Sequence, residues 1–348
     1  MPIVDFRSDN TGAAAPQIIE AIAAANTGTA AGYGADDWTA RLQQRFSDLF
    51  ETKVRVFPVA TGTAANALAL ASICPPFGAV YCSPIAHIET SEGNATGFFG
   101  SGTKLVHVDG PHGKMDPARL SDLLGAAGVG LTHKSQPAAI NLTQATDLGA
   151  VYRLDEIRAL TAIARAHGLK VHMDGARFAN AVARLGCSPA EATWRAGVDI
   201  LSFGMTKNGG LMADAIVVFS DKVAQQLAFH LRRAGQVWSK MRFASAQLIR
   251  YVEDGLWLDL AGRSNAAAAR IAKALEAETG VRLLAPVEAN EIFVEMTPAA
   301  MDALEKDGIR FFRRGPRMAR FVCRWDTTDA EIRALTGAIA RGSVATAK

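Results

Sequence analysis

The sequence predicts an α/β fold, with a mostly parallel central sheet in a large domain and a small α+β domain after it. Short apolar runs alternate with helical segments from about residue 54 to residue 220, a pattern typical of strands buried between two layers of helices. After about residue 250, a long helical segment and a cluster of strands replace this alternation. The sequence therefore predicts a large domain over residues 1–250, with an N-terminal arm over 1–15, and a small domain over 251–348.

The composition narrows the possible functions. The 348 residues carry a net charge of +3 without a basic tract, which argues against nucleic acid as a partner. No apolar run reaches the roughly 18 residues of a membrane-spanning helix. Charged residues such as Asp5 and Arg7 lie where a signal peptide needs an apolar core, so we expect a cytoplasmic protein. The four cysteines show no metal-binding spacing, and we expect them to be reduced and no metal to be bound.

Helices and strands are predicted in a regular order. The first two helices cover residues 20–28 and 37–51, and the second has apolar residues at helical spacing. The next predicted elements are strand 54–60, helix 61–73, strand 78–84, a loop entering a helix at 87–100, strand 103–110, helix 115–127, strand and loop 137–145, helix 153–168, and strands 169–177, 199–207 and 214–220. The small domain is predicted to contain helix 265–280, strands 291–296, 309–314 and 317–325, and helices that begin at Thr297–Pro298 and Thr328.

Polar residues stand at the ends of two of the predicted strands. Lys207 comes after the strand "DILSF" and before Gly209 and Gly210, and it is either an ordinary solvated lysine or an amine required there. Asp174 ends the strand "KVHMD", where it either caps the next helix, pairs with Arg177 or faces a ligand cation. Parallel sheets bind ligands beyond the carboxyl ends of their strands, so both residues are candidates for a binding site.

Other segments could complete such a site. Gly62 and Thr63 begin a helix directly after a strand, and the free N–H groups there suit a phosphate or simply start the helix. His87 follows another strand and is either an ordinary histidine or a functional one. Arg320 lies in an apolar strand, where its guanidinium either extends to solvent or holds an anion. Ser8 belongs to the polar N-terminal arm.

Taken together, these parts match the needs of pyridoxal 5′-phosphate. The lysine amine would bind the aldehyde, the aspartate would pair with the protonated ring nitrogen, and the helix N-terminus would hold the phosphate. A flat ring also needs a stacking partner, and a histidine can serve. Each part is weak alone, whereas their order along an α/β chain is a stronger signal.

On these residues the sequence resembles the low-specificity L-threonine aldolases, which are fold type I pyridoxal-phosphate enzymes with an aspartate-aminotransferase-like fold. The resemblance runs through nearly the whole chain. The segments that carry it are "DFRSDN", "GYGADD", "ATGTAAN", "AHIETSE", "HMDGARFANAV", "SFGMTKNGG" and "ARFVCRWDTT". The "DGAR" run, together with the opening arm, separates this family from the aminotransferases.

The resemblance implies a role for each matching residue. Lys207 would bind the cofactor aldehyde, Asp174 would pair with the pyridine nitrogen, and His87 would stack on the ring and take part in proton transfer. Three residues, Ser8, Arg177 and Arg320, would bind the carboxylate of the substrate. A homotetramer with active sites at a dimer interface is also implied. In it, Tyr33 would approach the site from a neighbouring subunit, and Arg242, with Lys240 beside it, would reach a neighbour's phosphate.

The chain departs from the family at one position. Many relatives have a histidine in an E-N-T-H run, and the matching run here is "NLTQAT", with Gln144 in place of the histidine. Glutamine cannot act as a base at neutral pH. If the family histidine takes the hydroxyl proton, this protein would use His87, a water molecule or the cofactor phosphate.

The implied reaction is retro-aldol cleavage of L-threonine, L-allo-threonine and related β-hydroxy-α-amino acids to glycine and an aldehyde. The alternatives on the same cofactor are an L-phenylserine aldolase or another β-eliminating lyase. A cofactor-binding regulatory protein that has lost catalysis would need an added DNA-binding or sensor segment, and the sequence offers none.

Overall fold

The computed structural model describes residues 4–346. The strands there, in chain order, are β1 (Val4–Asp5), β2 (Arg55–Val59), β3 (Gly78–Cys82), β4 (Lys104–His107), β5 (Gln136–Thr143), β6 (Lys170–Gly175), β7 (Ile200–Phe203), β8 (Asp214–Val218), β9 (Arg282–Leu283), β10 (Glu291–Glu295), β11 (Ile309–Arg310), β12 (Phe312–Arg313) and β13 (Met318–Val322). The α-helices are α1 (Pro16–Ala25), α2 (Asp37–Leu49), α3 (Gly62–Ala71), α4 (His87–Thr90), α5 (Ala95–Phe99), α6 (Pro117–Gly125), α7 (Leu154–Ala166), α8 (Phe178–Leu185), α9 (Pro189–Ala192), α10 (Asp221–Arg233), α11 (Arg242–Val252), α12 (Leu256–Glu276), α13 (Pro298–Lys306) and α14 (Asp329–Thr346).

The central sheet has seven strands within the described residues, in the order β2-β8-β7-β6-β5-β3-β4. Strands β7, β6, β5, β3 and β4 are mutually parallel, whereas β8 is antiparallel to both of its neighbours. The predicted α/β fold with a mostly parallel sheet is therefore confirmed. Because β8 runs in the opposite direction, its first residue, Asp214, lies at the same edge of the sheet as the carboxyl ends of β6 and β7.

Helices cover both faces of this sheet, so its strands are buried almost throughout. On one face, α3 and α10 pack through residues such as Leu68 and Leu227. The other face carries an aromatic cluster that joins α2, α8, β7 and α12, formed by Phe46, Phe50, Phe178, Phe203 and Trp257. Helices α10 and α11 were not among the predicted elements, although Val223, Leu227 and Leu231 recur at helical spacing in α10.

A second sheet, β12-β13-β10-β9, is antiparallel and has its own core with α12, α13 and α14. The predicted strand over residues 309–314 is wrong as a single element. Its first half, β11, pairs in parallel with β1, and its second half, β12, pairs with β13. The chain changes partner at Phe311, a change that the alternation of side chains does not reveal.

Helix α12 joins the two cores. It begins at Leu256, nine residues before the predicted start at residue 265. Its first half packs Trp257 and Leu260 into the core of the central sheet, and its second half packs Ala268 and Ile271 into the second core. The division near residue 250 stays a prediction, since one continuous helix serves both cores.

Side chains cap the starts of two helices. Asp116 caps α6 by accepting a hydrogen bond from the backbone N–H of Arg119 at 2.8 Å. Thr328 and Glu331 form the predicted capping box at the start of α14. None of the helices described between residues 4 and 346 is both long and apolar enough to cross a membrane.

Candidate active site

Lys207 lies in a single 3-10 turn, Thr206–Asn208, between β7 and the glycines that precede β8. The turn is anchored by Asn208, whose side-chain amide donates to the Tyr251 hydroxyl at 2.7 Å and to the Trp257 carbonyl at 2.9 Å. Gly209 follows with a φ of +89°, and a Cβ there would lie 2.9 Å from Leu260. These contacts fix Lys207 at the carboxyl end of β7. The Lys207 amine forms no ion pair with any residue between 4 and 346.

Asp174 is buried at the end of β6, next to β7. Its Oδ2 accepts a hydrogen bond from the Asn66 amide at 2.9 Å, and its Oδ1 accepts one from the Ala176 N–H at 3.0 Å. Arg177 forms its ion pairs elsewhere, so the alternative in which Asp174 pairs with Arg177 is wrong. A buried carboxylate with only neutral hydrogen-bond donors is free to meet a cation supplied by a ligand.

A chain of hydrogen bonds connects Asp174 to His87. The Asn66 amide donates to both Asp174 and Glu92, in the latter case at 2.8 Å. Glu92 has a fully buried side chain, and its Oε1 also lies 2.8 Å from Nδ1 of His87. The hydrogen bond to Glu92 raises the pKa of His87, and 41% of the His87 side chain remains exposed. Glu92 therefore orients the His87 ring and favours its protonated form.

The start of α3 lies beside the lysine turn. The Thr61 hydroxyl caps the helix by accepting from the Ala64 N–H at 3.1 Å, and the N–H groups of the first helical turn have no partner within the helix. Asp214 connects the two segments. Its Oδ1 accepts from the Thr206 N–H at 3.0 Å, while its Oδ2 would lie 3.7 Å from a Cβ at Gly62. The predicted phosphate-binding helix start and Lys207 are therefore neighbours.

A cluster of ion pairs, formed by Asp9, Arg177, Glu291 and Arg320, lies near this edge of the central sheet. Arg177 contacts Asp9 of the N-terminal arm at 2.6 Å and Glu291 of β10 at 2.9 Å. Arg320 lies 3.7 Å from the other Glu291 oxygen, and Asn290 donates to the Asp9 carboxylate. The two predicted carboxylate-binding arginines thus meet at one glutamate. The Nε atoms of both arginines are buried and have no partner among the described residues.

Ser8 lies immediately before Asp9, and its hydroxyl accepts from the Asn10 N–H at 3.2 Å. Arg320 donates to the Arg7 carbonyl at 3.0 Å. The structure therefore brings the arm that carries Ser8 close to Arg320 and Arg177, the two arginines to which the resemblance assigns the same role.

Tyr33 and Arg242 do not join this group within one chain. The Tyr33 ring is 60% exposed and lies 5.4 Å from the Arg232 guanidinium. Arg242 donates to the Thr27 carbonyl at 3.1 Å. Tyr33 and the segment before Arg242 are neighbours, because the Tyr33 N–H donates to the Ser239 carbonyl at 3.2 Å. Their predicted roles depend on a second subunit and stay predictions.

Gln144, in place of the family histidine, has a structural role. Its side chain is fully buried, its Nε2 donates to the Tyr152 carbonyl at 2.9 Å, and its Oε1 accepts from the Tyr152 N–H at 2.9 Å. Both ends of the amide are therefore bonded to one backbone residue.

Replacing Gln144 by alanine is expected to lower the free energy of unfolding by at least about 1–3 kcal/mol, because the Tyr152 backbone groups would be buried without partners. Urea denaturation measures the change. The matched control is Gln44→Ala on the exposed face of α2, which should stay within about 0.5 kcal/mol of the parent protein. Equal stability of both variants would contradict the bonding described for Gln144.

Several residues of the site were not singled out from the sequence. Most lie far along the chain from the residue that they serve, whereas Glu92 is five positions from His87 and Thr206 is next to Lys207. They are Asp9, Asn66, Glu92, Asp147, Thr206, Asn290 and Glu291. A short buried polar residue inside an apolar helix, such as Asn66 in "TAANALAL", is the one signal that the sequence offered.

Comparison with known proteins places the chain among its relatives. Residues 5–299 match the family model described as beta-eliminating lyase. The low specificity L-threonine aldolase of Pseudomonas sp. (strain NCIMB 10558) is 44% identical over 335 residues, which cover 96% of each chain. The low specificity L-threonine aldolase of Pseudomonas aeruginosa is 44% identical over 331 residues, or 95% of each chain.

The fold agrees with these sequence relatives. A solved structure of the Leishmania major threonine aldolase is 25% identical and superposes with a TM-score of 0.90, covering 98% of this chain and 99% of that one. The chain therefore belongs to the beta-eliminating lyase family and, within it, to the low-specificity L-threonine aldolases, with their fold type I architecture.

Proposed function

We propose that this protein is a pyridoxal-phosphate-dependent aldolase that cleaves L-threonine, L-allo-threonine and related β-hydroxy-α-amino acids to glycine and an aldehyde. One observation carries the proposal. The amine of Lys207 and the buried carboxylate of Asp174 lie at the carboxyl ends of two adjacent parallel strands, in a chain that is 44% identical to a low specificity L-threonine aldolase.

The residues at this edge fit the proposed cofactor. The Thr206 hydroxyl is buried without a partner among the described residues, and it lies in the turn next to the start of α3. A phosphate between them would satisfy both the hydroxyl and the first N–H groups of the helix at Gly62 and Thr63. Asp174 would meet the protonated ring nitrogen, and His87 offers a flat, partly exposed ring.

Pyridoxal 5′-phosphate, when bound, links to the amino group of the substrate and stabilises the electron pair released when the Cα–Cβ bond breaks. Lys207 would hold the cofactor between turnovers, and its amine is suited to return a proton to the α-carbon of glycine. Asp174 would keep the ring nitrogen protonated because its buried carboxylate accepts hydrogen bonds only from neutral donors and forms no ion pair among the described residues.

The substrate carboxylate would bind beside the ion-pair cluster. Arg177 and Arg320 already converge on Glu291, and both retain unpartnered buried Nε atoms. Ser8 lies on the arm that reaches Arg320. Holding the carboxylate there fixes rotation about the substrate's Cα, which decides the bond that can break.

A second copy of the chain is the proposed partner. Tyr33, Lys240 and Arg242 lie outside the cluster within one chain, and the resemblance assigns Tyr33 and Arg242 to a neighbour's site. We propose a homotetramer whose active sites are completed across a dimer interface. The cytoplasmic location also stays a prediction.

Product analysis tests the proposed function directly. Purified protein with added pyridoxal phosphate is expected to release equimolar glycine and acetaldehyde from L-threonine, measured by amino acid analysis and an alcohol dehydrogenase assay. Release of ammonia and a 2-oxo acid instead would indicate β-elimination. Benzaldehyde release from L-phenylserine, without any acetaldehyde from L-threonine, would favour the narrower phenylserine aldolase.

A further inference from the structure

Asp147 lies in the loop between β5 and α7, and the loop is firmly held. The Thr146 hydroxyl donates to the His112 carbonyl at 2.8 Å, and the Gly149 N–H closes a turn onto the Thr146 carbonyl at 2.8 Å. Tyr152 is held at its backbone by Gln144, and its hydroxyl accepts from the Met115 N–H at 2.6 Å. A residue on this turn has a defined position.

The loop also borders the site on two sides. At its start, the Gln144 N–H donates to the Asp174 carbonyl at 2.7 Å. Near its end, Gly149 packs so closely on β10 that a Cβ there would lie 2.9 Å from the Glu291 carbonyl oxygen. The loop that carries Asp147 therefore runs from the backbone of Asp174, proposed for the cofactor ring, to the backbone of Glu291, which joins the two proposed substrate-binding arginines.

The Asp147 carboxylate differs from the other acidic groups of the site. Asp174, Glu92, Asp9 and Glu291 each accept hydrogen bonds or form ion pairs. Within residues 4–346, no hydrogen bond or ion pair engages the Asp147 side chain. The residue is half-buried, and neither of its carboxylate oxygens is among the fully buried polar atoms without a partner.

The surroundings of the Asp147 carboxyl group favour its protonated form. Burial and the nearby charges of Asp174 and Glu291 raise the pKa of Asp147 to about 7, where a general base is most effective at neutral pH. The titratable or charged groups that interact with it are Cys82 of β3, His87 of α4, Tyr152 before α7, Asp174 of β6, Arg177 before α8, Lys207 after β7 and Glu291 of β10.

We propose, building on the function proposed above, that Asp147 is the base that accepts the proton of the substrate's β-hydroxyl group. The O–H bond breaks and its electron pair forms the carbonyl bond of the aldehyde. The electron pair of the Cα–Cβ bond stays on the α-carbon, which then gains one proton to give glycine. The proton on Asp147 returns to solvent, so the substrate is converted to glycine and aldehyde without an oxidant or a reductant.

Two other side chains of the site are less suited to this role. Both ends of the Gln144 amide are bonded to Tyr152. The hydrogen bond of His87 to Glu92 raises its pKa and thereby keeps its ring protonated to a higher pH. Asp147 thus replaces His87 as the favoured base.

Asp147→Asn tests this assignment. We expect cleavage of L-threonine to slow by about 10²–10⁴-fold, while exchange of the α-hydrogen of glycine for deuterium, followed by NMR, continues near the wild-type rate. Glycine lacks a β-hydroxyl, so its exchange needs Lys207 and the bound cofactor but not Asp147. Asp147→Glu should recover part of the cleavage activity, and Asp122→Asn on the exposed surface of α6 is the matched control.

A measurement without cofactor or substrate provides an independent check. Since the folded-state pKa of Asp147 is raised, its ionisation costs stability as the pH rises from about 4 to about 7. Asp147→Asn is therefore expected to raise the Tm of the cofactor-free protein, and by more at pH 8 than at pH 5. A gain in Tm of equal size at both pH values would contradict the raised pKa of Asp147 and its proximity to the charges of Asp174 and Glu291.

Two outcomes would overturn the proposal. Unchanged cleavage by Asp147→Asn in an otherwise active enzyme rejects the base and leaves the aldolase function intact. Equal loss of cleavage and glycine exchange shows that Asp147 supports the cofactor site as a whole. If the wild-type protein releases no glycine from any β-hydroxy amino acid, the proposed function and this inference both fail.

Discussion

Replacing Lys207 by alanine is expected to lower threonine cleavage by at least about 10³-fold, because the residue proposed to bind the cofactor and to protonate glycine is lost. The spectrum supplies a second measurement. Wild-type protein with pyridoxal phosphate should show a visible imine band, and borohydride followed by peptide mapping should fix the pyridoxyl group on Lys207. The variant should show neither, since free aldehyde has no amine to bind there.

The matched control is Lys273→Ala, on the exposed face of α12. It removes the same charge far from the sheet edge and should keep both the spectrum and the turnover of the parent. Near-normal cleavage by Lys207→Ala, or borohydride labelling at a different lysine, would reject the assignment. Lys207 would then be an ordinary solvated lysine, the alternative that the sequence left open.

Replacing Arg177 by alanine is expected to lower the free energy of unfolding by about 3–5 kcal/mol, the usual loss when one partner of a buried ion pair is removed. Asp9 and Glu291 would both remain buried without their principal cation, since only 2% of each side chain is exposed. The KM for threonine should also rise, because a proposed carboxylate-binding guanidinium is lost. Urea denaturation and steady-state kinetics measure the two effects.

The loss of stability in Arg177→Ala should depend on pH in a defined direction. Burial alone would raise the pKa of Asp9, but Arg177 and Lys207 hold it below its ordinary value of 3.8. The stability that this provides is present above about pH 4 and disappears as the pH falls through the lower folded-state pKa. The deficit of Arg177→Ala should therefore be larger at pH 7 than near pH 3.

Two further variants show whether the effects of Arg177→Ala come from the lost ion pairs or from a general disruption of the fold. Arg184→Ala, on the exposed side of the same helix α8, should change neither stability nor KM appreciably. Arg177→Lys keeps the charge without the planar fork that reaches two carboxylates, and should recover only part of the stability. A wild-type unfolding curve for Arg177→Ala would contradict the ion pairs at Asp9 and Glu291.

The sequence predicted the parts of the site that depend on local order along the chain. Lys207, Asp174 and the start of α3 each follow a strand, and strands that alternate with helices place such residues at one edge of a sheet. The partners of these residues could not be predicted in this way. Asp9 and Glu291 are separated by 282 positions and meet only through Arg177. In the sequence, Glu291 resembles the first residue of an ordinary strand.

The other differences between the sequence prediction and the structure of one chain have similar physical causes. The run over residues 309–314 was predicted as one strand because strand periodicity does not show which partner a backbone selects. From the sequence alone, Gln144 is only the replacement of a histidine that could act as a base. In the structure, its side-chain amide is hydrogen-bonded to the backbone of Tyr152. For Tyr33 and Arg242, one chain is not sufficient, since their proposed contacts lie on another subunit.

The N-terminal arm makes most of its contacts with the last part of the chain. Val4 pairs with Ile309, the Val322 N–H donates to the Phe6 carbonyl, and the Trp325 indole donates to the Ala13 carbonyl. A ribosome synthesises the arm about 300 residues before these partners, so the contacts cannot form until the segment up to Trp325 has emerged. Domains that fold during synthesis generally do so from the N-terminal end. The side of the site proposed to bind the substrate is therefore completed only after Trp325 has left the ribosome, long after the arm itself was made.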